Sequence, residues 1–226
     1  MLLYGFRKGR LALVEQKIIY ILGVGHSTPL TIELAEACGY KVGGLYHYQE
    51  GRTGEQEYGV PIIGSHEDLF ALDSLQGLQF ALSMGDNSVR RRLADKIVAV
   101  GGELPNLLHP SALISRSAKL GKGVCIEAFV VLQPNTEIGS NTIIRHHSVV
   151  CHNTRVGAHS FIAAHSVIGA YLELEESVFV GLSAIAISGK AQRIGANSVI
   201  GAGAVLTKEV APSCVMAGNP ARPIKK

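Results

Sequence analysis

From His109 onward the chain places Ile, Leu or Val at every sixth position: 114, 120, 126, 132, 138, 144, 150, 156, 162, 168, 174 and 180. If a third of positions were aliphatic, twelve successive hits would arise by chance at roughly 10⁻⁶, so the period belongs to the fold. Small or β-branched residues recur four positions later (Ala118, Val124, Val130, Thr136, Thr142, Ser148, Thr154, Ser160, Ser166), and Gly often follows the aliphatic. A six-residue unit of this kind is a short strand plus a tight corner. The aliphatic points inward, and Gly, Asn or Asp accept the unusual corner dihedrals. Three units close one triangular coil, and each coil buries its apolar face only against its neighbours. Residues 186–193 break the register and Ile194, Ile200 and Leu206 resume it, which predicts a two-residue bulge or small loop on one corner.

Residues 17–108 follow another rhythm. Ile18–Leu22 reads as an apolar strand, Gly23-Val24-Gly25-His26 as a glycine turn, and Thr28-Pro29 as the start of a helix closed by Gly39. Further strands are predicted at Val42–Tyr46, Val60–Ile63 and Gln79–Met84, with a capping box at Ser65-His66-Glu67-Asp68 opening a helix to Leu72. Gly85-Asp86-Asn87-Ser88 starts a basic helix through Lys96, and Ile97–Val100 reads as a fifth strand. The expected architecture is a truncated Rossmann-like α/β domain over 17–108 followed by an all-β solenoid over 109–226. A dinucleotide fingerprint is incomplete, because Thr28 stands where the third glycine belongs and no acidic residue ends the second strand.

Composition narrows the classes. Apolar residues make up 47% and charged ones 17%, which excludes a disordered chain. Lys+Arg 21 against Asp+Glu 18 gives +3, with no basic stripe or stacking aromatics for nucleic acid. The cysteines (Cys38, Cys125, Cys151, Cys214) have no paired spacing and read as reduced thiols. No 18-residue apolar run predicts a membrane span, and the amino terminus reverses the order of a signal peptide. A soluble cytoplasmic protein is expected, with residues 1–16 as a leader ahead of the fold.

The Gly-x-Gly-His turn, Gly85-Asp86-Asn87-x-x-Arg90, His109-Pro110-Ser111-Ala112, the hexapeptide solenoid and the closing Ala217-Gly218-Asn219-Pro220-Ala221-Arg222 resemble one family. It is the hexapeptide-repeat sugar O- or N-acetyltransferases of the sialic-acid O-acetyltransferase type, which includes enzymes acting on nucleotide-linked 4-amino sugars. The resemblance implies a left-handed parallel β-helix, a homotrimer with sites between neighbouring helices, acetyl-CoA as donor, a sugar or nucleotide-sugar acceptor and no metal. It places the catalytic histidine at His152, in Val150-Cys151-His152-Asn153-Thr154, with Asn153 where relatives often carry a carboxylate. An imidazole titrates near neutral pH and suits removal of a proton from an attacking amine or hydroxyl. The same resemblance assigns acceptor contacts to Val24, Gly25 and His26, to Tyr48 beyond the second strand, and to Asn87 and Arg90. Donor contacts fall at Phe161, where relatives have a histidine near the thioester, and at Gly181, Leu182 and Ala202. Asn87 and Arg90 read equally well as a helix cap and a surface charge, and Tyr48 as strand-end packing.

Two rival readings stand beside this one. His147 and His152 have the five-residue separation found in trimeric γ-type carbonic anhydrases, where three histidines hold zinc at a subunit boundary. A non-catalytic trimeric scaffold would explain Asn153 and Phe161 as lost functional positions. His146, His147, His159 and His165 otherwise read as solenoid side chains.

Overall fold

The computed structural model describes residues 4–7, 10–13 and 16–224. Of the expected leader, β1 (Tyr4–Arg7) and β2 (Arg10–Leu13) pair as an antiparallel hairpin, while 1–3, 8–9 and 14–15 lie outside the described residues. The α/β region then runs β3 (Ile18–Leu22), α1 (Thr28–Ala37), β4 (Lys41–His47), β5 (Gln56–Glu57), β6 (Val60–Ser65), α2 (His66–Phe70), β7 (Phe80–Leu82) and α3 (Asn87–Ala99). Its sheet order is β5-β6-β4-β3-β7, parallel except for the short β5 at the edge. The expected capping box is present: Ser65 accepts from the Asp68 amide and Asp68 accepts from the Ser65 amide. The expected strand at Ile97–Val100 is instead the last turn of α3. Ile97 falls four residues after Leu93 and extends the buried stripe Arg90, Leu93, Ala94, Ile97, so helical period overrides the local β-branched character.

The remainder is a parallel β-helix. Two-residue strands stack into three sheets, each pairing with the strand eighteen residues away: Cys125 faces Ile143, Val131 faces Val149 and Glu137 faces Arg155. The predicted insertion sits between Ala186 and Arg193. There Glu173 faces Arg193, so that coil is 193 − 173 = 20 residues long. The second residue of each strand points inward, and Ile126, Leu132, Ile138, Ile144, Val150 and Val156 line one continuous core. The corners hold more than Gly, Asn and Asp. Phe129, His147, His159, His165 and Tyr171 all take the left-handed conformation, with φ of 59–60°, which non-glycine residues rarely adopt.

The outward residues distinguish the three faces. The first face presents Leu107, Cys125, Ile143, Phe161, Phe179 and Val199. The second presents Leu113, Val131, Val149, Val167, Ile185 and Val205. The third presents Lys119, Glu137, Arg155, Glu173 and Arg193, alternating in sign from rung to rung. The α/β region docks on the first face, where Leu107, Cys125, Ile143 and Phe161 share one apolar cluster with Ile19, Ile32, Leu45 and Ala81. Burial there pushes the Cys125 thiol up to about 12, which makes it an inert packing group. All four cysteines are free. Among the described residues no helix is long and apolar enough to cross a membrane.

Candidate active site

In an open parallel sheet, ligands bind outside the carboxyl ends of the strands where the strand order reverses. Here the chain leaves β3 for β4 on one side and later returns to β7 on the other, so the switch point lies between β3 and β7. Two segments meet there: the turn Gly23–His26 and the segment Ser83–Asn87. They are fastened to each other. Ser83 Oγ donates to the Gly23 carbonyl at 2.7 Å, and Thr28 Oγ1 accepts from the Gly25 amide at 2.8 Å. Gly23 has φ +98°, and a Cβ there would meet Ser83 Oγ at 2.7 Å. Buried Thr28, standing in the place of a third glycine, is therefore the fastener of this turn. Gly25 and His26 are exposed at its tip, with Val24 half-buried beneath them. Beside Gly85, a cavity of about 1000 Å³ opens between α3 and the solenoid, lined by Asn87, Arg91, Arg92, Phe179, Asn197 and Val199 among others. Tyr48 lies away from this cavity's lining, exposed and stacked on His47 with ring centroids 4.4 Å apart.

Arg90 is not a ligand contact. It is fully buried, and its guanidinium is consumed by carbonyls: Nε donates to Asn141 at 3.3 Å, and Nη2 to His159 at 2.7 Å and Ser160 at 3.0 Å. Nη2 also donates to Asn87 Oδ1, while Asn87 Nδ2 donates to the Ser177 carbonyl. Both side chains clamp α3 to the solenoid. Burial lowers the Arg90 pKa to about 10, which leaves it charged at neutral pH. Phe161 is displaced from its expected role as well. It is 8% exposed, stacks on Phe179 at 5.2 Å and carries Arg145 over its ring at 5.3 Å, inside the seam with the α/β region.

His152 stands exposed at the corner between the second and third faces. Its backbone amide donates to Gln133 Oε1, its ring meets Tyr171 edge-on at 5.2 Å, and its Nδ1 lies 2.9 Å from Asn153 Nδ2. Gln133 and Tyr171 escaped the sequence reading, although Tyr171 was within its reach: 171 − 153 = 18, one coil further along the same corner. Gly181, Leu182 and Ala202 occupy the other edge of the second face. A Cβ on Gly181 would meet the Ala202 amide nitrogen at 2.6 Å, so the coils touch there through backbone alone. Above them on that edge, His147 stacks between Phe129 and His165 at 5.0 Å from each. His146 Nδ1 lies 3.2 Å from Glu127, whose carboxylate pairs with Arg145.

Within one chain His147 and His152 belong to opposite edges of one face, and among the described residues of that single chain no three His, Cys, Asp or Glu side chains converge on a metal position.

Comparison with known proteins agrees with the geometry. The bacterial transferase hexapeptide (six repeats) family matches residues 117–152 and 135–170. The GDP-perosamine N-acetyltransferase of Escherichia coli is 30% identical over 150 residues, covering 65% of this chain and 68% of that protein. This chain belongs to the hexapeptide-repeat sugar acetyltransferases. The family's members include PerB from Caulobacter crescentus, solved in complex with CoA and GDP-perosamine. It is 31% identical with a TM-score of 0.83, over 95% of this chain and all of that one. The acetyltransferase domain of PglB from Neisseria gonorrhoeae, solved with acetyl coenzyme A, is 27% identical with a TM-score of 0.83, over 93% of this chain and 100% of that one. Some curated matches are local: the UDP-N-acetylbacillosamine N-acetyltransferase of Bacillus subtilis aligns over 49 residues, 22% of this chain and 23% of that protein, at 41% identity. As a member of this family the protein is an acetyl-CoA-dependent enzyme, which sets aside the scaffold reading.

Proposed function

We propose that the protein transfers the acetyl group of acetyl-CoA to the primary amine of a nucleotide-linked amino sugar, as a cytoplasmic homotrimer with reaction centres between copies. The observation that carries this reading is the second face of the solenoid. Its outward residues are all apolar, Leu113 is 68% and Ile185 39% exposed, and no buried cluster among the described residues includes them. One long edge of that face carries His152, and the other carries Gly181, Leu182 and Ala202. Within one chain these groups are held apart. A second copy seated on the face brings the histidine of one chain to the coil edge of the next, and closure of such contacts around an axis gives a ring. The relatives solved with CoA and GDP-perosamine support the classes of donor and acceptor.

In this reading residues 17–108 hold the acceptor and 109–226 hold acetyl-CoA. The exposed Gly25-His26 turn at the start of α1 suits the acceptor's phosphates, with Val24 beneath it and His26 reaching toward the amine. Pantetheine lies along Gly181, Leu182 and Ala202, where Gly181 and Ala202 add little to the coil edge and the Leu182 side chain is exposed beside it. The amine nitrogen attacks the thioester carbonyl, forming the C–N bond as the C–S bond breaks. His152 Nε2 takes the proton from the nitrogen and passes it to the departing thiolate. Asn153 orients the ring without supplying charge, which suits an amine that is already nucleophilic.

The test measures free CoA thiol while the protein is offered acetyl-CoA with a panel of GDP-, UDP- and dTDP-linked amino sugars. His152→Ala should lower kcat by roughly 10²–10⁴ with the oligomer unchanged in light scattering. A fully active His152→Ala enzyme would overturn the mechanism.

A further inference from the structure

We propose that Asn135, one coil before Asn153, is a positioning residue that decides which ring nitrogen of His152 carries the proton. This rests on His152 being the base. The two asparagines occupy equivalent left-handed corners, with φ of 60° and 54°, and their side chains are in line with the imidazole. Asn135 Nδ2 donates to Asn153 Oδ1 at 3.1 Å, and Asn153 Nδ2 lies 2.9 Å from His152 Nδ1.

An amide nitrogen only donates and an amide oxygen only accepts. With Asn153 Nδ2 against it, Nδ1 must accept, and a neutral imidazole then carries its hydrogen on Nε2. That tautomer has no lone pair on Nε2 to receive a proton. The productive tautomer has its hydrogen on Nδ1, which needs an acceptor, so Asn153 must turn its oxygen toward the ring. Its nitrogen then points at Asn135, which must turn as well and offer Oδ1. The three side chains therefore have two self-consistent arrangements, one with Nε2 blocked and one with Nε2 open, and the two amides reverse together. An aspartate at position 153 would need no reversal, because a carboxylate accepts from either side. Asparagine at both positions makes the outcome depend on residue 135.

Two substitutions at position 135 tolerate the left-handed backbone, so folding is preserved: Asn135→Asp and Asn135→Gly. The carboxylate introduced by Asn135→Asp can only accept from Asn153 Nδ2 and so turns Asn153 Oδ1 toward the ring. The full chain is labelled with ¹⁵N-histidine, and long-range ¹H–¹⁵N correlations are recorded at about pH 8.5, two units above the ordinary imidazole value. The His152 signals are identified by their loss in His152→Gln. The wild-type chain should show the Nε2–H pattern, Asn135→Asp the Nδ1–H pattern with a several-fold gain in kcat, and Asn135→Gly a mixture. The same tautomer in wild type and Asn135→Asp would overturn the proposal whatever the activity. A shifted tautomer in an enzyme whose His152→Gln form keeps full activity would support the relay and overturn His152 as the base.

Discussion

The first and third faces of the solenoid share an inward aliphatic ladder and differ only in the residues that point out. Phe161 and Ile143 look outward from one, Glu137 and Arg155 from the other. The first carries an entire α/β region. The third meets solvent with charges that alternate so that each rung faces its opposite: Lys119 donates to Glu137 at 3.0 Å, Arg155 lies 3.2 Å from Glu137, and Arg193 stands opposite Glu173. The comparison shows that the inward period makes the coil while the outward residues decide what can lie against it. By that criterion the second face, apolar and outside every buried cluster of the described residues, groups with the first.

The strongest way to break this comparison is at the seam of the first face. Arg90→Met removes the donor to the Asn141 and His159 carbonyls, each of which costs about 1–3 kcal/mol when left buried without a partner, while the Ser160 carbonyl keeps the Ile143 amide. The α/β region should lose about 3–5 kcal/mol in urea denaturation, while the solenoid transition stays near its original midpoint. A single unshifted transition would mean that the clamp contributes little. A smaller effect on stability, with a large one on assembly, is expected on the second face. Val167→Lys places a charge at the middle of the apolar ladder. It should release monomers with unchanged circular dichroism and abolish acetyl transfer; an active trimer would remove that face from the assembly. The least consequential change is on the third face. Glu137→Lys sets three cations in a row with Lys119 and Arg155 and should cost about 0.2–1 kcal/mol in thermal unfolding, with kcat unchanged.

What could be read without coordinates follows the same division. A strict six-residue period made the coils, their core and the two-residue insertion legible, because each aliphatic answers only to a neighbour eighteen residues away. Gly25 and His26 stand at an exposed turn as the glycines implied. Arg90 and Phe161 were misjudged because their partners are distant in the chain. The Arg90 hydrogen bonds span 51 to 70 residues, and no local pattern marks a guanidinium that will end under a docked region. Ile97–Val100 misled for the opposite reason, since its β-branched residues resemble a strand while Ile97 continues a helical stripe.

One feature of the clamp reaches further. Arg90 holds the carbonyls of Asn141 and His159, and 159 − 141 = 18, so a single side chain grips two successive rungs. This makes the solenoid a ruler with marks about 4.8 Å apart. Because it engages two rungs at once, the α/β region can dock higher or lower along the solenoid only by whole marks. Duplicating or deleting one eighteen-residue coil between His159 and Gly181 would leave every strand pairing intact and still shift the crevice by one full step relative to the coil edge at Gly181. The reach between acceptor and donor is therefore counted in coils, and it can change only in jumps.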